Sequence, residues 1–159
     1  MNVECINPFI EASQFVLKSV AGLEIKLGKI FMKDSPYNSD CIIIIIGITG
    51  KIRGQVIFTL NKEVALKICS NMMGGMEVPI FDEIAKSAIS EITNMILGNT
   101  ATILFNRGIK IDITPPSLLM GDGMQISSNK MKTVCVPLYL NEKDVFEIDV
   151  SLDENIEDK

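Results

Sequence analysis

The alternation of apolar and polar positions changes period several times along the chain, and each change marks an element. Asn7-Pro8 reads as an N-cap followed by proline at the first helical position. With Gly22 as the stop, this predicts a helix over Pro8 to Ala21. Leu23, Ile25, Leu27, Ile30 and Met32 then alternate as in a strand with one wet face, before a turn-rich stretch from Asp34 to Asp40. The isoleucine-dominated run Cys41 to Ile46 suits a strand covered on one or both faces. After a reversal at Thr49-Gly50-Lys51, alternation returns over Ile52 to Leu60, so the two runs predict a hairpin.

Asn61 caps a short helix that ends near Gly74-Gly75. From about Phe81 to Asn106 an apolar stripe keeps helical spacing, with Asp82 as N-cap and Gly108 just past the end. Ile109 to Ile113 is a short strand stopped by Pro115-Pro116, a loop covers Gly121 to Asn129, and Met131 to Leu140 with Val145 to Leu152 form a closing hairpin around Asn141 to Asp144. The result is about three helices and about six strands, hairpin-rich and without a repeated βαβ rhythm, which predicts an α+β fold with a two-layer, mainly antiparallel sheet. One domain is expected over residues 1–152, followed by an acidic tail from Asp153 to Lys159.

Composition narrows the chemistry more than the fold. The 159 residues are 47% apolar and 22% charged, enough to bury a sizeable core. Histidine is absent, which removes Ser-His-Asp and Cys-His nucleophile pairs. Four cysteines, Cys5, Cys41, Cys69 and Cys135, contain no Cys-x-x-Cys pair, so neither zinc nor a disulfide framework is expected, and the thiols should be buried and inert. A net charge of −5 without a Lys/Arg block argues against nucleic acid. No apolar run of about eighteen residues and no signal-like start is present, so the expected location is the cytoplasm, away from the membrane.

Two smaller patterns bear on function. Gly47-Ile-Thr-Gly50-Lys51 lacks the glycine spacing and following hydroxyl of a phosphate loop and is explained by a hairpin turn. Met72-Met73-Gly74-Gly75-Met76 could serve as an adaptable contact patch, but the expected role is to finish a helix and fill the edge of the core.

The long helix holds the remaining candidates. At about 100° per residue, with Glu91 at zero, Gly98 lies about 20°, Ser87 about 40° and Asn94 about 60° to one side. Ala85, Ile89, Ile92, Ile96 and Ile103 cluster opposite. Read from the residues alone, the polar stripe is a solvated helix face. Gly98 costs about 1 kcal/mol relative to alanine and suggests close approach, either by another chain or by a packing neighbour.

The pattern Ser87-x-x-x-Glu91-x-x-Asn94-x-x-x-Gly98 resembles the signature of the CheC/CheX/FliY phosphatases of bacterial chemotaxis, which carry Asp or Ser, then Glu, then Asn at this spacing. The order of elements is similar to the CheX-like fold over nearly the whole chain, and the single motif copy is similar to the one-site CheX branch. That signature often continues to a downstream proline, which Pro115-Pro116 match only approximately, so neither proline inherits a role.

The resemblance implies a phosphatase acting on the aspartyl phosphate of a CheY-like receiver domain in chemotaxis or related two-component signalling. It implies that Asn94 positions the attacking water, that Glu91 anchors the receiver through a lysine, and that Ser87 and Gly98 contact the partner. No cofactor is expected on this chain, Mg²⁺ being held by the receiver. A homodimer is also implied, and an uncovered edge at Ile42 to Ile46 would invite pairing with a second copy. The alternative is a receiver-binding or flagellar-switch module of the same fold without catalysis.

Overall fold

A computed structural model describes residues 3–34, 37–39, 41–127 and 131–153. Its helices are α1 (Val3–Ala21), α2 (Lys62–Met72) and α3 (Glu83–Asn106). The strands are β1 (Lys26–Leu27), β2 (Phe31–Lys33), β3 (Tyr37–Ser39), β4 (Ile42–Gly50), β5 (Arg53–Leu60), β6 (Ile111–Ile113), β7 (Ser117–Met120), β8 (Met124–Ile126), β9 (Thr133–Tyr139) and β10 (Val145–Asp153). No described helix is long and apolar enough to cross a membrane.

Eight strands form one antiparallel sheet in the order β1-β9-β10-β5-β4-β6. β2 continues the line of β1 along β9, and β7 continues that of β6 along β4, so the sheet is six strands wide with both outer strands broken. At one break the Gly28 amide donates to the Pro137 carbonyl at 2.8 Å. A Cβ at Gly28 would run into the Tyr139 ring and Pro137. At the other break Pro115 and Pro116 end β6, because proline cannot donate to a ladder.

The α+β class and the antiparallel sheet agree with the sequence reading, while several boundaries do not. The expected strand over Leu23 to Met32 is two short pieces split at Gly28. The turn-rich stretch before Cys41 contains β3 and the loop from Gly121 to Asn129 contains β8, and these two pair as a separate small sheet. The first helix starts at Val3, with Pro8 inside it rather than at its first position. Burying Ile6 contributes about 1.5–3 kcal/mol, of the order of the roughly 3 kcal/mol that an interior proline costs. The turn ahead of Pro8 is therefore kept in the helix. The tail beyond Asp153 lies outside the described residues.

The isoleucine run explains the layering. Ile42, Ile44 and Ile46 point to the helical face and join Val56, Phe58, Phe146 and Ile148 of the neighbouring strands beneath α1 and α3. Phe58 and Phe146 meet with ring centroids 5.6 Å apart. Ile43 points the other way, packing with Ile57, Ile126, Ile45 and Met124 under the β3–β8 sheet. One strand thus serves two cores, which is why its sequence is nearly unbroken isoleucine. It is flanked by β5 on one side and by β6 and β7 on the other, so it is the covered strand that its composition predicts and offers no edge to a second copy.

Candidate functional site

Helix α3 is fixed at both ends and along its buried face. The Asp82 carboxylate accepts from the Ala85 amide at 3.0 Å, and beyond the last turn Gly108 adopts a φ of 81° while the Ile109 amide donates back to Leu104 at 2.9 Å. Ala85, Ile89, Ile92 and Ile96 are buried as expected, and Ile103 is half-buried. Thr93 and Thr100 are buried too. Their hydroxyls donate to the carbonyls of Ser90 and Ile96, which removes the cost of burying them.

On the opposite face Ser87 and Glu91 are exposed and Asn94 and Gly98 half-exposed. Among the described residues, no hydrogen bond or ion pair engages the side chains of Ser87, Glu91 or Asn94. The contrast with Asn99 is direct, since its amide donates to the Met95 carbonyl at 3.0 Å. A carboxylate and an amide therefore stand one helical turn apart with their hydrogen-bonding capacity unspent. A Cβ built on Gly98 would meet nothing within 4 Å, so no packing neighbour among the described residues requires the glycine.

The stripe borders an open groove of about 650 Å³ between α3 and β7. Glu83, Lys86, Ser87, Ser90, Glu91 and Asn94 line it from the helix, and Pro116, Leu118 and Met120 from the strand. The strand wall is absent from the sequence expectations: Pro116, Leu118 and Met120 fall at every second position, which places them on one side, but Leu119 between them hides the alternation. Lys86, Ser90 and Glu83 escape a motif-based reading because they flank the stripe rather than continue it.

A second polar cluster lies across the sheet. The Lys33 ammonium is 2.6 Å from Glu147 and 3.1 Å from Asp149, whose carboxylate is fully buried. Burial raises the Asp149 pKa, Glu147 raises it further, and Lys33 opposes both. For Lys33, burial would lower the pKa, but hydrogen bonding to Glu147 and the two carboxylate charges leave it raised. Cys135, Glu147 and Asp149 have ligand atoms within 4.8 Å of one another, yet the Lys33 ammonium already fills the cation position between the carboxylates.

Burial, then the charge of Asp149, pushes the Cys135 thiol well up. Burial and Asp82 push Cys69 up to about 11. Both are inert thiols at neutral pH. Cys5 and Cys41 are only half-buried, a correction to the expectation that all four would be enclosed. Met72 ends α2 against the core as expected, whereas Met76 is exposed.

Residues 42–139 match the family described as chemotaxis phosphatase CheX. The CheY-P phosphatase CheX of Thermotoga maritima is 38% identical over 128 residues, covering 80% of this chain and 83% of that protein. A chemotaxis protein CheX from Desulfovibrio desulfuricans superposes with a TM-score of 0.83 at 28% identity, over 95% of this chain and 100% of the other. A chain from the CheX–CheY–BeF3–Mg²⁺ complex of Borrelia burgdorferi gives 0.82 at 28% identity, over 96% and 100% of the two chains.

Proposed function

Because this chain belongs to the CheX family of chemotaxis phosphatases, we propose that it hydrolyses the aspartyl phosphate of a CheY-like receiver, with Asn94 and Glu91 as its active pair. The observation that carries the reading is the unengaged Glu91 and Asn94 on one exposed face of α3, beside a groove open to a partner. Both residues fall inside the family-matched segment.

An acyl phosphate is already activated, so most of the acceleration comes from holding water in line with phosphorus. Asn94 is suited to this, because its carbonyl accepts from the water while its NH₂ donates toward a phosphoryl oxygen, and no early proton removal is needed. Glu91 anchors the receiver by a charge-assisted hydrogen bond to a lysine. Ser87 and Gly98 border the contact, the one offering a hydroxyl and the other a surface without a side chain. The chain binds no cofactor of its own for this step. The Borrelia complex supports that division, pairing a CheX with a CheY, Mg²⁺ and BeF3, a stand-in for the phosphoryl group.

The protein is cytoplasmic and homodimeric in this reading. The edge formed by β1 and β2 leaves Leu27, Ile30, Phe31 and Met32 exposed where no described strand pairs further out, and a second copy pairing there covers them. Sedimentation of the wild-type protein at micromolar concentration tests this, a monomer overturning it.

The activity is tested by following decay of a phosphorylated receiver with wild-type protein and with Asn94→Ala. Acceleration that drops by about 100-fold in the variant is expected. Equal acceleration by both proteins removes Asn94 from the mechanism, and a wild-type protein that binds the receiver without speeding decay supports the non-catalytic module instead.

A further inference from the structure

Among the described residues, the groove beside Glu91 carries a single basic one. Among the side chains that line it only Lys86 is a cation, and its ammonium lies 3.1 Å from the Glu83 carboxylate one turn away. Two features set Lys86 apart from an idle surface lysine. Its side chain is 35% exposed against 91% for Glu83, so the lysine lies along the groove wall while its partner stands in solvent. It also sits in the opening turns of α3, where the helix dipole disfavours positive charge and where a pair this exposed offsets only part of that cost. Helix stability does not call for a lysine at this position.

Glu91 and Lys86 thus present opposite charges to one groove, separated by about 7.5 Å of helical rise. Proteins hold Mg²⁺ beside a phosphoryl group through one or two carboxylates while the ion keeps several waters, so a receiver that carries Mg²⁺ there offers carboxylates close by. A partner offering a lysine and, a short distance away, one or two such carboxylates is the electrostatic complement of this surface.

We propose, on the receiver-phosphatase reading above, that Lys86 is a second recognition contact. When the receiver docks, the ammonium leaves Glu83 and pairs with a carboxylate at the rim of the receiver's metal pocket. With Glu91 on a cation and Lys86 on an anion, the receiver fits along α3 in one direction only. Glu83 is the internal competitor that sets how readily Lys86 is released.

The test is steady-state dephosphorylation of a phosphorylated CheY-like receiver over a concentration series, at low and high salt. The proteins compared are the wild type, Lys86→Ala, Lys86→Glu, Lys86→Arg, Glu83→Gln and Asn94→Ala. At low salt Lys86→Ala raises KM about fivefold with kcat held, and Lys86→Glu raises it about tenfold or more. Lys86→Arg stays near wild type and Glu83→Gln lowers KM. The Lys86 deficits fade as salt rises. Unchanged KM in Lys86→Ala and Lys86→Glu, beside a wild-type rate that depends on Asn94, overturns the Lys86 contact and leaves the phosphatase reading standing. A deficit in kcat that salt does not alter and that tracks a lowered Tm marks a structural role and overturns it too. No acceleration by the wild type overturns both readings.

Discussion

The Lys33 ammonium stands 3.1 Å from Asp149, a carboxylate without exposed surface, on the sheet face turned away from the helices. Lys33 comes from the outer strand β2 and Asp149 from β10, with β9 between them, so the pair ties a short edge piece to the middle of the sheet.

Lys33→Met should therefore destabilise the protein by about 3–5 kcal/mol at neutral pH, since it leaves Asp149 and Glu147 together without a cation. The sign with pH follows from Asp149, whose pKa is raised in the fold by burial first and by Glu147 second. Without Lys33 it rises further, so the carboxyl is neutral over a wider acidic range. The deficit is then largest near neutrality and shrinks on acidification. In the wild type, the raised Lys33 pKa means that its contribution is present below the ordinary lysine range and is lost only at alkaline pH. Urea unfolding of both proteins at about pH 7 and about pH 5 measures the difference. A deficit that grows toward acid would contradict this account.

Gly98→Ala should move stability and function in opposite directions. With open space where the added methyl would stand, alanine gains about 1 kcal/mol of helix propensity and raises Tm by about 2–4 °C. If the receiver docks on this stripe as proposed, the same methyl stands in its way, and KM for the phosphorylated receiver should rise. Thermal melts and steady-state kinetics on one preparation check both halves. A stabilised variant with unaltered KM removes Gly98 from the contact.

Glu91→Ala should raise KM by about 10- to 100-fold, the equivalent of the roughly 1.5–3 kcal/mol of a hydrogen bond to a charged group, with a smaller change in kcat. Among the described residues no partner is lost on truncation, so the melting temperature should hold. A fall in kcat at constant KM would reassign the residue to the chemical step.

Small acyl phosphates should not be substrates. Among the described residues the one cation lining the groove is tied to Glu83, so no described cation stands free there to hold a small phosphoryl compound. Acetyl phosphate mixed with the protein and Mg²⁺ should decay at its uncatalysed rate, and measurable acceleration would show that the groove binds phosphate unaided.

The placement of the polar stripe on α3 is more legible in the sequence than the sheet around it. A 24-residue helix repeats its pattern often enough for the stripe and the buried face to be worked out from spacing alone. β3, β7 and β8 are three or four residues each, too short for alternation to register, and β3 finds β8 across more than eighty positions. Lys86 does not stand out in the sequence because the motif runs along the stripe, whereas the groove is made by a strand that joins α3 only in three dimensions. Pro8 misleads for a related reason, its local penalty being met by burial of Ile6 that no local rule can see.

The placement of Ile42 to Ile46 has a consequence for handling the molecule. Five consecutive β-branched residues without a charge or proline are the sort of segment that stacks into cross-β fibrils when left bare. In the native fold β5 and β7 occupy both sides of this segment, so its own backbone is not open to another chain. Once unfolded, the run has neither guard, so recovery from denaturant becomes a race between hairpin closure and aggregation. Yield on refolding should accordingly fall as protein concentration rises.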